Sequence, residues 1–199
     1  MRLNILDNGH STIQKIQIAL VRKMMGGFIP GPILIQSYRA DFFGKPYNDT
    51  VEIALRGTTE WSKSEAELFA AFVSKNNRCQ FCLEAHTAVA AKGVEEEIIQ
   101  AVLIDWQTAP VNDKIRATLG FLQKLTRTPH DMVPEDLEPM LAAGVSRQGI
   151  EEAIRICFVF CTINRLADAF DFELAHGNQR SRMGFMLYNF GYGVAALPG

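Results

Sequence analysis

Helical periodicity extends through almost the whole of this 199-residue sequence. Apolar residues recur at intervals of three and four positions, and no segment shows the strict alternation that is typical of a β-strand. We therefore predict an all-α fold, and the length suits one well-packed domain that spans residues 1–199. The predicted helices cover residues 11–25, 46–59, 64–76, 80–92, 95–106, 111–127, 134–142 and 147–175.

Two segments do not fit this pattern. Residues 27–36, GFIPGPILIQ, contain two Pro and two Gly residues, so we predict an extended link there. Residues 191–199, GYGVAALPG, are predicted to form a loose tail. Elsewhere, Gly or Pro indicates the helix ends, and the helix starts are indicated by side chains that can cap a first turn, namely Ser62 or Ser64, Asn112 and Ser146.

The charge and hydropathy patterns exclude several classes of function. Acidic and basic residues nearly balance at a formal net charge of −2, and no block of Lys or Arg provides the basic surface that nucleic acid requires. The N-terminus lacks the apolar region of a secretory signal, and the apolar residues 28–35 are too few and too rich in Pro to span a membrane. We therefore predict a soluble cytoplasmic protein that binds neither nucleic acid nor a membrane.

The four cysteines occur in two different settings. A cytoplasmic location argues against structural disulfides, because that compartment keeps thiols reduced. Cys157 and Cys161 lie in the apolar run IRICFVFC, where packed core thiols are the simplest interpretation. Cys79 and Cys82 are flanked by Asn, Arg and Gln at a predicted loop-to-helix junction, so we expect them to be accessible to solvent.

The CxxC pair belongs to a larger constellation in the stretch EAELFAAFVSKNNRCQFCLEAH. Cys79, Cys82 and His86 follow one another at intervals of three and four, which places them on one face of a helix. Residues 75–78, KNNR, form a polar break of the length that joins antiparallel helices, and folding the chain back there brings Glu67 level with His86. A carboxylate, an imidazole and two thiols that converge in this way predict a proton relay serving a nucleophilic sulfur.

A CxxC motif can also be half of a zinc site, or it can arise by coincidence. A thioredoxin-type pair would follow a strand, and no strand is predicted. His86 by itself could be a core histidine and Glu67 a solvated helix residue, but their spacing from the thiols favours a functional site. Zinc usually takes four ligands, and the sequence offers only isolated histidines elsewhere, at His10, His130 and His176. We predict redox use of the dithiol, with no metal or organic cofactor.

With these residues in place, the chain resembles the alkylhydroperoxidase D-like (AhpD-like) branch of the carboxymuconolactone decarboxylase superfamily. The motif of that branch is a Glu, a CxxC pair that begins twelve residues later and a His four residues after the second Cys, and this chain matches it without a gap at Glu67, Cys79, Cys82 and His86. The GxxP segment at residues 27–30 and the NRLADAF run at residues 164–170 are similar to the peroxidase-related members. The resemblance covers about residues 20–175, which we take as the core of the domain.

This resemblance implies an AhpD-like helical domain with a CxxC-bearing antiparallel helical hairpin, in a homo-oligomer. It also implies thiol-dependent, antioxidant reduction of a small hydroperoxide, with electrons returned by a protein or thiol donor that the sequence does not identify. In that chemistry Cys82 would attack the peroxide and Cys79 would resolve the sulfenic acid as a disulfide. His86 and Glu67 would relay protons.

One position departs from the resemblance. The best-characterised peroxidase of the family carries a second His immediately before the distal Cys, where this chain has Phe81. This difference bears on the proton relay and on the choice of substrate, so two alternatives stay open. One is a dithiol–disulfide reductase or redox sensor with little peroxidase activity. The other is a lyase of the carboxymuconolactone decarboxylase type, which is not expected to need the Cys pair.

Overall fold

Helices make up the fold, as the periodicity predicts. The structure, a computed structural model, describes residues 5–193. Over that range it contains no β-strand, and its α-helices are α1 (Ile5–Asn8), α2 (Thr12–Met24), α3 (Gly31–Tyr38), α4 (Ala40–Phe43), α5 (Lys45–Arg56), α6 (Lys63–Asn76), α7 (Gln80–Ala90), α8 (Glu96–Asp105), α9 (Asp113–Arg127), α10 (Glu138–Ala142), α11 (Arg147–Phe170) and α12 (Asn178–Phe190). Two short 3₁₀ turns, Pro129–Asp131 and Pro134–Leu137, precede α10.

Several helix starts follow the sequence signals. Ser62, Asn112 and Ser146 each cap a helix, and each side-chain oxygen accepts a hydrogen bond from the backbone N–H three residues later. At Ser62 the cap is reciprocal, since the Glu65 carboxylate accepts a hydrogen bond of 2.8 Å from the Ser62 N–H. The predicted helix starts at these three residues are therefore confirmed.

The predicted extended link at residues 27–36 is wrong, because helix α3 begins at Gly31. Pro30 and Pro32 lie just before and within the first turn, where a missing N–H costs no helical hydrogen bond. Gly31 packs against Phe172 so closely that an added Cβ would lie 2.2 Å from the ring. These Pro and Gly residues therefore begin a helix instead of interrupting one. Helices α1, α4 and α12 also lie outside the predicted set.

Helix α11 ends at Phe170, before its predicted limit at residue 175. Asp171 adopts a left-handed φ of 55°, and the Phe172 N–H donates a hydrogen bond of 3.0 Å to the Ala167 carbonyl, which closes the helix. None of the described helices combines the length and hydropathy needed to cross a membrane.

The predicted C-terminal tail is described only for residues 191–193. The backbone N–H of Tyr192 donates a hydrogen bond of 2.5 Å to the Glu52 carboxylate, so this part of the segment packs against α5. Residues 194–199 lie outside the described residues.

Helix α6 lies at the centre of the core. Every residue from Ala66 to Ser74 is buried, which agrees with the apolar run in the sequence. The helix packs against α7, α9 and α11. Because a helix buried on all sides gives a polar side chain no access to water, Glu67 requires partners within the protein.

The turn between α6 and α7 fixes the position of the CxxC pair. Arg78 adopts a left-handed φ of 62°, which is uncommon for a residue other than Gly. The Cys79 N–H then donates a hydrogen bond of 2.9 Å to the Ser74 carbonyl, and Cys79 occupies the N-cap of α7. Helix α7 therefore runs antiparallel to α6 and packs along it.

Candidate active site

Cys79 and Cys82 lie under a cover of apolar side chains. Cys79 is 0% exposed and Cys82 is 1% exposed, so the predicted access to solvent is wrong. The cover includes Ile35 of α3, Met183 of α12 and Phe172, which follows α11. Helices α3 and α12 are elements that the periodicity did not predict, which is why the sequence suggested exposed thiols. No disulfide joins Cys79 to Cys82 in this structure.

The pKa of Cys82 is raised well above the usual value of a thiol. The largest cause is the hydrogen bond with the Cys79 thiol, and burial acts in the same direction, whereas the Asn164 side chain lowers the pKa. Asn164 is held by hydrogen bonds of 3.1 Å to Ser74 and 2.9 Å from Asn77. At neutral pH Cys82 is therefore a neutral thiol, which needs a base before it can act as a nucleophile.

An imidazole lies one turn further along α7. His86 is 8% exposed, and its Nδ1 lies 2.6 Å from Oε2 of Glu67, which is 0% exposed. Burial raises the pKa of Glu67, but His86 and Arg56 outweigh burial, so the pKa lies below its usual value. An ionised carboxylate only accepts hydrogen bonds, so Nδ1 of His86 carries the proton and Nε2 is left to accept one.

Two residues that the sequence analysis did not single out complete the surroundings of Glu67. Arg56, at the end of α5, places Nη2 2.7 Å from Oε1 of Glu67. The Tyr192 hydroxyl donates a hydrogen bond of 2.9 Å to the same oxygen and lies 3.3 Å from Nδ1 of His86. A buried carboxylate predicts a cationic partner in general terms, but nothing in the sequence indicates Arg56. Tyr192 is 125 positions from Glu67 in the sequence, and nothing in its neighbouring residues indicates that it contacts Glu67.

Cys82 and His86 both line a cavity of about 320 Å³. Its wall comes from α2, α3, α5, α7, α11 and α12 and consists mainly of Val, Ile, Leu, Met, Phe and Pro side chains. Within the described part of the chain, no Asp, Glu, Lys or Arg lines the cavity, and Cys79 does not line it either. A small organic molecule in the cavity would therefore meet Cys82 and not Cys79.

Comparison with known proteins agrees with the motif. Residues 43–124 match the profile of the carboxymuconolactone decarboxylase family, and this range includes all four candidate site residues. This region belongs to the carboxymuconolactone decarboxylase family. The superfamily predicted from the sequence is therefore confirmed. No curated protein sequence matches the chain.

Solved structures share the helical arrangement over most of the chain. An uncharacterized peroxidase-related protein from Silicibacter sp. TM1040 has a TM-score of 0.71 at 20% identity, over 84% of this chain and 87% of its own. An uncharacterized peroxidase-related protein with an alkylhydroperoxidase AhpD core, from Ralstonia eutropha JMP134, has a TM-score of 0.71 at 21% identity, over 88% and 91%. A Cys-to-Ala variant of the debrominase Bmp8 in complex with 2,3,4-tribromopyrrole has a TM-score of 0.69 at 18% identity, over 88% and 94%. These similarities confirm the AhpD-like all-α fold.

Phe81 occupies the position at which the family resemblance leads us to expect a second His. Its ring packs edge-to-face against Phe172, with 5.2 Å between the ring centroids, and it lines the cavity. In this chain, the residue before the distal Cys therefore forms part of an apolar wall.

Cys157 and Cys161 lie on α11 and do not line the cavity. Their sulfur atoms are 3.8 Å apart, and Cys157 is buried, as the sequence predicts, whereas Cys161 is only partly buried. Hydrogen bonds from Cys157 and Asn77, together with nearby Arg165, lower the pKa of Cys161 to about 6 despite its partial burial. Within residues 5–193 no cluster of three His, Cys, Asp or Glu side chains is arranged to hold a metal ion.

Proposed function

We propose that this protein is a thiol-dependent oxidoreductase that reduces a small organic hydroperoxide, with Cys82 as the attacking thiol and Cys79 as the resolving thiol. The observation that carries the proposal is the cavity, because Cys82 and His86 line it together and Cys79 does not. The family of residues 43–124 and the peroxidase-related structural neighbours support an enzyme of this kind.

In the proposed reaction, Nε2 of His86 takes the proton of Cys82, directly or through one water. The thiolate attacks the terminal oxygen of the hydroperoxide, the O–O bond breaks, and the leaving oxygen receives a proton from His86 and departs as an alcohol. Cys82 becomes a sulfenic acid. The Cys79 thiol then attacks that sulfur, which forms the disulfide and releases water. A two-electron thiol donor restores the dithiol.

Glu67 acts on this chemistry through His86. Its hydrogen bond to Nδ1 leaves Nε2 free and stabilises the imidazolium that forms when His86 accepts a proton. Arg56 and Tyr192 hold the other carboxylate oxygen, so the charge stays in place. An imidazolium next to the thiolate supplies the reactive form of Cys82 even though burial and Cys79 raise its pKa.

The two alternatives from the sequence fit this site less well. A dithiol–disulfide reductase must present its thiols to a partner protein, and here Cys79 and Cys82 are 0% and 1% exposed. A lyase of the carboxymuconolactone decarboxylase type would leave the CxxC pair without a role. Parallel measurement of peroxide consumption and of exchange with a protein disulfide separates the first alternative from the proposal.

Reductive removal of a halogen from an aromatic ring is a second candidate function. The debrominase Bmp8, which shares the fold, has been solved with 2,3,4-tribromopyrrole. The apolar cavity beside Cys82 favours this candidate because it suits an uncharged ring. In that reaction the ring would exchange halogen for hydrogen, the halide would leave with a proton, and the dithiol would become a disulfide. Release of bromide from a brominated aromatic compound distinguishes it from hydroperoxide reduction.

One equivalent of cumene hydroperoxide should oxidise two of the four thiols. We expect a disulfide between Cys79 and Cys82, because Cys82 lines the cavity beside a base and the neighbouring Cys79 thiol is close enough to raise the pKa of Cys82. Thiol titration and peptide mapping measure the result. The Cys161→Ala variant is the matched control, because it removes the thiol whose pKa is lowered. On peroxide treatment this variant should still lose the thiols of Cys79 and Cys82. A bridge involving Cys157 or Cys161, or four unreacted thiols, would contradict the proposed function.

We also propose that the protein self-associates. Helix α11 exposes 43% of Ile154 and 65% of Phe158, and α2 exposes Ile13, Ile16 and Leu20 at helical spacing. Exposed apolar surface of this kind marks contact sites between proteins. Light scattering at micromolar concentration should give a mass above the 22.2 kDa of one chain, and Phe158→Asp should lower that mass. A monomer at every concentration would refute self-association.

A further inference from the structure

Two amide side chains lie together in the largely apolar cavity wall. Gln36 of α3 and Asn48 of α5 both line the cavity, and they are only 7% and 2% exposed. The Gln36 amide donates a hydrogen bond of 2.6 Å to Oδ1 of Asn48. The remaining polar atoms, Oε1 of Gln36 and Nδ2 of Asn48, are buried and have no hydrogen-bond partner among residues 5–193.

The two unpaired atoms define a hydrogen-bonding pattern. Leaving a buried polar atom unpaired is costly, and both side chains line the cavity, so a ligand there that draws the two amides toward it would supply the partner that each atom lacks. One atom accepts and the other donates. Exchanging the nitrogen and oxygen of both amides would swap these roles but would still leave one donor and one acceptor. The pattern therefore does not depend on how the amides are assigned.

We propose that Gln36 and Asn48 recognise a carboxamide or lactam group on a neutral organic ligand of this cavity. Such a group offers a donor and an acceptor side by side, which complements the amide pair. The described lining residues include no Asp, Glu, Lys or Arg, so a charged head group would lose its hydration without gaining a counter-ion.

The volume of the cavity limits the size of the apolar part of the ligand. Its volume of about 320 Å³ is roughly twice the ~150 Å³ of a cavity that binds benzene, which leaves room for a ring and a short chain. This inference rests on the proposed function in one respect, because the ligand would be the substrate that meets Cys82. The substrate would then be an organic hydroperoxide that carries an amide, and not hydrogen peroxide.

Three matched aromatic compounds test the proposal by binding alone. The compounds 3-phenylpropanamide, propylbenzene and 3-phenylpropanoate share an apolar body and differ in the head group. In calorimetric titration of the reduced protein, we expect the amide to bind on the order of tenfold more tightly than propylbenzene, the effect of one or two net hydrogen bonds. The carboxylate should bind most weakly. An amide that binds no more tightly than propylbenzene overturns the proposal.

Substitutions at the amide pair give an independent measurement. Gln36→Met and Asn48→Leu remove the polar atoms with little change of volume, so each should weaken amide binding by on the order of tenfold and leave propylbenzene binding unchanged or tighter. Met186→Leu changes an apolar lining residue and is the matched control, which should affect both compounds alike. Equal losses for both compounds in Gln36→Met would show a purely structural role and overturn the proposal. Circular dichroism confirms that each variant is folded.

The outcomes separate this inference from the proposed function. Preferential amide binding, without oxidation of Cys82 by any hydroperoxide, would refute the proposed function and retain the recognition site. Reduction of hydroperoxides without any preference for the amide would refute the recognition site alone.

Discussion

Cys82→Ser is expected to abolish hydroperoxide reduction, whereas Cys79→Ser should keep the first half of the reaction. Cys82 lines the cavity together with His86, so its loss removes the only thiol of the pair that a bound peroxide can meet. Without Cys79 the sulfenic acid at Cys82 cannot be resolved, and a dimedone-type reagent should trap it for mass spectrometry. Peroxide consumption with excess dithiothreitol measures the rate. The reverse pattern would assign the attack to Cys79.

The pH dependence of sulfenic acid formation provides a control for this assignment. The hydrogen bond with Cys79 and burial raise the pKa of Cys82, so the thiolate fraction and the rate should rise throughout the range from about pH 6 to 9. Cys79→Ala removes the largest cause of the raised pKa, and its profile should lie at lower pH than that of the parent. Cys157→Ser should leave both the rate and the profile unchanged, because this thiol lies outside the cavity.

The parts of the fold that could be predicted from the sequence depend on local signals. The caps at Ser62, Asn112 and Ser146 act within one turn, and the run LFAAFV identifies a helix that is buried on all sides. The register of Glu67 against His86 is local in the same sense, because it follows from the helical period and a short polar turn. Such features need no knowledge of the rest of the molecule.

The remaining features depend on distant parts of the chain. Pro30, Gly31 and Pro32 resemble a break, and only the packing of Gly31 on Phe172 shows why they begin a helix. Helices α3 and α12 then cover the CxxC pair, so the polar neighbours of Cys79 in the sequence give a misleading picture of its exposure. The cavity combines residues from six helices, and no short stretch of sequence carries that information.

Glu67→Gln should slow hydroperoxide reduction by on the order of 10²-fold, the lower range for the loss of one general acid–base contribution. The amide keeps the shape of the side chain but cannot stabilise the imidazolium that forms at His86. The change should also lower the free energy of unfolding by about 3 kcal/mol, because Arg56, whose side chain is 7% exposed, would lose its buried carboxylate partner. Steady-state rates from pH 5 to 9 and urea unfolding measure the two effects.

The ionisation of Glu67 makes the stability of the parent protein depend on pH in the acid range. Although burial raises the pKa of Glu67, His86 and Arg56 hold it below its usual value. The ionised form therefore stabilises the parent protein above the usual pKa of a Glu, and this stabilisation is lost as the pH falls through the lowered pKa. Glu67→Gln lacks the ionising group, so its stability should fall less steeply over the same acid range.

Two matched variants separate a role in proton transfer from a role in folding. Glu65→Gln makes the same chemical change two positions away, and a Gln there can still accept the hydrogen bond from the Ser62 N–H, so rate and stability should match the parent. Glu67→Gln combined with Arg56→Met removes both buried charges, which should restore much of the stability but not the rate. Recovery of the rate together with the stability would mean that Glu67 acts only by holding the fold. If neither Glu65→Gln nor Glu67→Gln changes the rate, the proton relay is refuted. A carboxylate that is hydrogen-bonded to the catalytic imidazole must affect the reaction that the imidazole performs.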